Sequence, residues 1–383
     1  MNLKAIILAA AILPTPIRAA NTIAKKVGTF LDSMAVSGVD RHYIDAPQRP
    51  WQVMIKGNVN QTELKMNSTI HHSEDIFYFL QGDMTWEPKM ETEPSTYVGF
   101  WAGYRGYGLG YSWNVGGDKG RILTFGATGG CYGVNLRIHR FESDDPQVYF
   151  EGNGVYTIAE DGETLVRPFS TNEVIELGSP IKTRSLFLDG HYLFNGKKCS
   201  YAAAYDQSVI QKHSAGSIMA GAMYFHSTTS YDTNDNADLI LFMNDIGRIK
   251  TWQASSGVGY IYNWVPAHGL LISAMAIPMV TFYNHIKIWR YASNLKEEIK
   301  NQGMGGISRL DENDYQIWPQ GRPRQMRSQT RLNFDARLSL TYEWNERIFM
   351  NAVGQFNNFR FKTDDFNGRL NDWFVNASIG IRL

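Results

Sequence analysis

The chain has 383 residues, with 37 Lys plus Arg against 37 Asp plus Glu, 13% aromatic residues, 35 Gly and a mean hydropathy of −0.31. Balanced charge lacks the basic excess of a nucleic-acid binder, the hydropathy is too low for a bundle of membrane helices, and so many aromatics argue against a disordered chain. The two cysteines, Cys131 and Cys199, are too few for a disulfide scaffold or a cysteine-rich zinc site.

The chain begins with Lys4, an uncharged run from Ala5 to Ile17, and then Ala19 and Ala20. A positive start, a short apolar stretch and a small-residue end predict a secretory signal peptide over residues 1–20. Residues 21–50 are read as a periplasmic N-terminal segment, with a short helix over Ile23 to Met34. From residue 51 onward the dominant pattern is alternation, the period of a strand with one greasy and one polar face.

Segments of that kind fall at 51–70, 96–104, 106–115, 121–130, 132–142, 184–194, 214–227, 252–264, 269–283, 328–344, 347–361 and 371–383. The apolar parity of the first flips near Asn60 and Gln61, which calls for a bulge or two pieces. In the fifth, Tyr132, Val134, Leu136 and Ile138 alternate with Gly133, Asn135, Arg137 and His139. The stretch Thr251 to Ile286 lacks Asp, Glu, Lys and Arg. Its greasiest part, Gly269 to Tyr283, is shorter than the roughly 20 residues a spanning helix needs, and Val258, Tyr260, Tyr262 and Trp264 before it keep strand parity. Near the end, Leu332, Phe334, Ala336, Leu338, Leu340, Tyr342 and Trp344 oppose Arg331, Asp335, Arg337 and Glu343.

The connections alternate between tight and long. Tight ones lie at Arg105-Gly106, Gly130-Cys131, Val265 to His268 and Asn345-Glu346; longer ones cover 71–95, 143–183, 228–251, 284–327 and 362–370. Short turns at one end and long loops at the other are the layout of an outer-membrane barrel. Lipid offers the backbone no hydrogen-bond partner, so a spanning sheet must close on itself. Trp51, Trp264 and Trp344 at the turn end, with Trp113 and Trp373 at the loop end, suit the membrane–water boundary. The expected fold is therefore all-β: a closed antiparallel transmembrane barrel of about 12 strands over 51–383, with both ends of the barrel chain at the periplasmic side. A secreted soluble sheet protein is the rival, with the apolar face as a core and its edges covered.

Three blocks carry a family resemblance: DSMAVSGVDRHYIDAPQRPWQV from Asp32, the hairpin TYVGFWAGYRGYGLGYSWNVG, and RSLFLDGHYLFNGKKCSYAAAYDQSVIQKHSAGSIMAG over Arg184 to Gly221. Together they resemble the domain-of-unknown-function 4421 family, outer-membrane barrels of Bacteroides-type bacteria. The resemblance implies a location and a fold, and no substrate or reaction.

The polar faces are the first candidates for chemistry. Arg331, Asp335, Arg337 and Glu343 share one, Arg347 and Arg382 lie on neighbouring strands, and Arg137 and His139 elsewhere on the wall. Mixed charge inside a narrow barrel builds either a salt-bridge network or a polar path. Gly99, Gly103, Gly106, Gly108, Gly110 and Gly126 leave room along one wall, to be filled by water, ligand or an internal plug. The link Asn195 to His213 is long for a periplasmic turn, so Tyr201, Tyr205, Asp206, Gln207, Gln211 and Lys212 are plug candidates; resting at the rim is the alternative.

Asp232, Asn234, Asn236 and Asp238 echo a calcium loop, but Ala237 replaces its Gly and Met243 its closing Glu. No metal or cofactor is assigned. For an interfacial lipid-modifying enzyme, His139, His191 and His226 with Ser200, Ser214 and Ser217 supply the residue types, but no G-x-S-x-G or H-E-x-x-H motif is present. Cys131 and Cys199 fall near periplasmic ends, where pairing is an option. The leading functional reading is a narrow channel or small-solute conduit. The alternatives are a structural or interaction barrel with a plugged lumen, and the lipid-modifying enzyme. The expected partners are outer-membrane lipid, a small polar solute and, during biogenesis, the barrel-assembly machinery. The barrel is expected to be a monomer, with no nucleic acid bound.

Overall fold

A computed structural model describes residues 38–383 except 73–79, 145, 159–163, 175–176, 232–238, 241–242, 244, 296–314, 320 and 364–365. The expected leader, the helix over 23–34 and the Asp232 to Asp238 motif lie outside the described residues.

In chain order the strands are β1 (Ile44–Asp45), β2 (Trp51–His72), β3 (Leu80–Glu91), β4 (Ser95–Tyr104), β5 (Tyr107–Gly116), β6 (Lys119–Thr128), β7 (Tyr132–Ser143), β8 (Gln147–Ile158), β9 (Thr164–Val174) and β10 (Ile181–Leu193). A short helix α1 (Tyr201–Tyr205) and β11 (Ile210–Gln211) follow. Then come β12 (Ala215–Ser230), β13 (Ile246–Ala267), β14 (Leu270–Leu295), β15 (Tyr315–Pro319), β16 (Arg324–Arg327), β17 (Leu332–Glu343), β18 (Ile348–Lys362) and β19 (Phe366–Arg382).

Twelve of these close into an antiparallel ring in the order β2-β4-β5-β6-β7-β10-β12-β13-β14-β17-β18-β19, with β19 pairing back onto β2 from Arg382↔Gln52 to Phe366↔Ser68. Closure leaves no edge, as a sheet surrounded by hydrocarbon requires. The tight links gather at one end. At the β4–β5 link Arg105 (φ 49°) and Gly106 (φ 90°) both adopt the left-handed region, the geometry of a two-residue hairpin turn. Arg105 Nη1 donates to Pro47 O at 2.6 Å, which offsets the strain of a non-glycine residue there.

The outward face is apolar around the ring. Ile55, Leu109, Ile218, Val258, Phe282, Leu338 and Ile379 are each more than half exposed. Scattered exposed side chains are ordinary, but a continuous belt marks contact with an apolar phase. No helix among the described residues is long and apolar enough to cross a membrane.

Two expectations need correction. First, β2 contains no bulge against β19: their register is unbroken. Leu64 and Met66 point inward, on the face that buries Gln52, Met54, Asn58 and Asn60 lower down. The parity flips because the interior turns apolar toward the long-loop end, where these two residues join Ile181, Tyr231, Leu239, Met243 and Ile286 in one buried cluster. Second, the links 71–95 and 143–183 are not simply loops. The upper part of β2 continues past β4 to pair with β3, β3 pairs with β8, and β8 with β9. Likewise β14 runs on past β17 to pair with β16 and β15.

Candidate functional site

The segment 195–213 folds into the turn end of the barrel. Ser200 caps α1, its Oγ accepting from Ala203 N at 3.1 Å. Ala202, Ala203 and Ala204 are fully buried, and their small side chains let a helix fit against the inner wall. The turn of helix stops at Asp206 and Gln207, the latter in the left-handed region (φ 57°), as a C-terminal cap requires.

Wall residues hold this segment from several sides. Asn263 Nδ2 donates to Ser200 O at 2.8 Å and to Gln211 Oε1 at 3.1 Å. Gln52 Nε2 donates to Asp206 O at 2.8 Å, Thr128 Oγ1 to Asp206 Oδ2 at 3.1 Å, and Arg382 Nη2 to Gln207 O at 3.1 Å. A second layer comes from β1, which pairs with β11 through Ile44↔Gln211 and Asp45↔Ile210. Burial pushes the Asp206 carboxyl above the usual carboxylate range. Lys212 is exposed and reaches Asp45 at 3.6 Å, so it belongs to the rim and not to the buried segment.

Above α1 lies a cluster of buried charge. Arg337 Nη2 is 2.9 Å from Asp189 Oδ2 and 3.0 Å from Asp335 Oδ2, and its Nη1 donates to Tyr201 Oη at 2.6 Å. Asn135 Nδ2 also donates to Tyr201 Oη, at 2.7 Å. His191 lies between the same carboxylates, 3.3 Å from Asp189 and 3.5 Å from Asp335, and stacks on Tyr201. Asp189 stands on β10 and Arg337 on β17, strands separated by three others in the ring. The contact therefore crosses the lumen and clamps the helix from above.

Further contacts cross at other heights. Arg137 on β7 pairs with Asp372 on β19, its guanidinium 4.6 Å from the Phe374 ring centroid. Phe225 on β12 stacks on Phe359 of β18 at 4.1 Å. Met219, Met223, Met275 and Met279 fill the adjoining space. A cavity of about 130 Å³ remains between the segment and the wall, lined among others by Lys56, Trp101, Asn135, Arg137, Tyr201 and Asp206.

Of the candidate lumen residues, Arg137, His139, Asp335, Arg337, Glu343 and Arg382 face inward. His139 meets Tyr97 Oη at 3.0 Å, and Arg382 pairs with Glu343 at 2.8 Å. Two expectations fail. Arg347 is exposed in the tight turn before β18, and Arg331 sits at the loop-end rim before β17, where its partner is Gln329. Alternation carries a face only as far as the strand persists.

The glycine wall is covered chiefly by a side chain of the wall itself, with Ser208 of the inserted segment reaching it at Gly106. A Cβ on Gly108 would come within 2.6 Å of Trp101, on Gly126 within 2.8 Å and on Gly110 within 2.9 Å of the same ring, so the Trp101 indole lies flat on these glycines. Gly103 borders the same indole, Gly99 lies close against Ser112, and Gly106 belongs to the hairpin turn, near Thr128. Lys56 Nζ stands 4.3 Å above the other face of the indole. Sequence reading missed Trp101, Asp189 and His191 as lumen residues, although strand parity places all three inward.

The enzyme candidates do not converge. Ser200 caps α1, Ser214 Oγ accepts from Val265 N at 2.9 Å, and Ser217 Oγ donates to Ile218 O at 2.6 Å. His226 Nδ1 lies 2.8 Å from Thr251 O, and among the described residues none of these three serines is hydrogen-bonded to a histidine side chain. Cys131 and Cys199 are free thiols, not a disulfide.

A family model described as a domain of unknown function, DUF4421, matches residues 39–382. The chain belongs to the DUF4421 family. No curated protein matches it. Among solved structures, the outer membrane protease OmpT from Escherichia coli is similar at 7% identity, covering 88% of this DUF4421 chain and 97% of that chain with a TM-score of 0.36. The translocator domain of the autotransporter NalP from Neisseria meningitidis is 9% identical over 96% of this chain and 98% of that one, with a TM-score of 0.25. The toluene transporter TodX from P. putida is 8% identical over 88% and 91%, also at 0.25. At such scores these likenesses assign the DUF4421 chain neither an activity nor a substrate.

Proposed function

We propose that this protein is an outer-membrane barrel with a blocked lumen, whose role is interaction at its two ends and not free diffusion through its bore. The observation that carries the reading is the Arg337 clamp: two carboxylates from different strands and the Tyr201 hydroxyl of the inserted helix meet one guanidinium. The apolar belt supports a membrane location. In this reading residues 1–20 direct export, 21–50 stay in the periplasm with the tight turns, 51–383 form the barrel, and the long-loop end faces outward. The barrel is a monomer placed by the assembly machinery.

A gated small-solute conduit is the second reading, favoured by the cavity of about 130 Å³ beside the inserted segment, whose mixed lining includes Lys56, Asn135, Arg137 and Asp206. That space suits a few waters or one small polar solute. Planar-bilayer recording separates the two. The blocked barrel gives no steady conductance at neutral pH. Replacing Tyr201–Tyr205 by Gly-Ser linker, together with Arg137→Ala, opens one. Steady ohmic conductance from the wild-type protein overturns the blocked-lumen reading.

A further inference from the structure

The outer wall carries a line of cations that the closed lumen does not use. Strand register places Arg121 beside Arg140, Arg140 beside Arg184, Arg184 beside Thr228, Thr228 beside Lys250, and Lys250 beside Lys287. Five cations thus stand in one row across six adjacent strands. Their parity is that of the exposed Leu123, Leu188, Ile218 and Val258, so they project from the outside of the barrel. Neighbouring strands are about 4.8 Å apart, and like charges directly opposite one another destabilise a sheet. Among the described residues none of the five is in an ion pair.

The rows on either side locate what would balance this charge. One pair toward the barrel middle, the register runs Leu123, Ile138, Leu186, His226, Trp252 and His285, with Trp252 stacked on His226 at 4.9 Å. That is an apolar-to-aromatic step, as at a membrane–water boundary. One pair toward the loops the row reads Lys119, Glu142, Lys182, Ser230, Arg248 and Trp289, where Lys119 is paired with Asp144. Arg248, Lys250 and Lys287 all lie 5.2–5.3 Å from the Trp289 ring.

We propose that this arc binds a phosphorylated lipid headgroup of the leaflet at the long-loop end. The cation row begins about 7 Å, two residues, above side chains that face acyl chains. A ligand that covers both rows is apolar below and anionic above, which describes a phosphate-bearing lipid and not an acidic protein or free phosphate. The inference rests on the membrane reading above and adds the headgroup chemistry and its place on the wall.

The test compares wild type with Arg140→Gln, Arg184→Gln, Lys250→Gln and Lys287→Gln combined. Both are first floated with phosphatidylcholine vesicles; failure of the wild type to float would sink the membrane reading itself. In neutral detergent, each is then titrated with bis-phosphorylated lipid A, with its dephosphorylated form and with inorganic phosphate, lipid adducts being counted by native mass spectrometry. At ~1 kcal/mol per surface cation, the four substitutions weaken lipid A binding by roughly a thousandfold. The dephosphorylated lipid binds the wild type at least about tenfold more weakly, and millimolar inorganic phosphate does not displace lipid A. Equal retention by both proteins, indifference to the phosphates, or displacement by free phosphate overturns the proposal. Should the fourfold variant not fold, the pairs Arg140→Gln with Arg184→Gln and Lys250→Gln with Lys287→Gln are read separately by the same criteria.

Discussion

Replacing Arg337 by Met removes the centre of the cross-lumen clamp while keeping side-chain length. Three contacts go at once: Asp189 at 2.9 Å, Asp335 at 3.0 Å and Tyr201 Oη at 2.6 Å. The two carboxylates, 2% and 0% exposed at their side chains, are then left with the His191 ring between them and with neutral amide donors such as Asn135 Nδ2, 3.0 Å from Asp189 Oδ2. Stripping one partner from a buried ion cluster costs about 3–5 kcal/mol, because the remaining charge stays desolvated. The hydrogen bond to Tyr201 falls inside that figure, since contacts sharing one guanidinium do not add. Urea titration of the barrel in detergent, followed by tryptophan fluorescence, measures the loss. The triple variant Arg337→Met, Asp189→Asn, Asp335→Asn removes the stranded charge and recovers most of the stability. A single-variant cost below about 1 kcal/mol, or a triple variant no better than the single one, would refute the reasoning.

Gly108→Val drives a Cβ to within 2.6 Å of the Trp101 ring; overpacking of this kind costs about 1–3 kcal/mol, visible as a lower urea midpoint with altered indole fluorescence. Phe359→Ala removes the ring stacked on Phe225 at 4.1 Å and loses about 3–5 kcal/mol in the same titration, whereas a loss below about 1 kcal/mol would place that ring outside the packed interior. Burial pushes the Asp118 carboxyl, in the link between β5 and β6, up from 3.8 to about 6. A raised folded value means that its stabilising contribution is complete below the unfolded value and is lost as pH rises through about 6. Asp118→Asn therefore raises the melting temperature above that pH and leaves it unchanged near pH 4; a wild-type and variant pair that run parallel across this range contradicts the assignment.

The cores of the wall strands were legible because each is obliged to show lipid one face and the interior the other. Leu332 to Tyr342 on β17 and Val375 to Ile381 on β19 carry that two-residue period without interruption. Where a strand leaves the belt the obligation lapses. The apolar signal of β2 then changes face at Leu64 while its backbone register does not, and β3, β8 and β9 read as loops. The inserted segment was marked by its length, but the wall atoms that would hold it were not.

The amino-acid pattern alone determined that the chain forms an all-β ring with tight turns at one end, because alternation and turn spacing are local properties of the backbone period. Only the tertiary structure decided how that ring is filled. Trp101 lies on glycines of neighbouring strands, Arg337 gathers Asp189, Asp335 and Tyr201 from three separate elements, and five cations line up across six strands. Each of these depends on which strands end up opposite or adjacent and in what register, and closure of the sheet sets that relation between residues far apart in the chain.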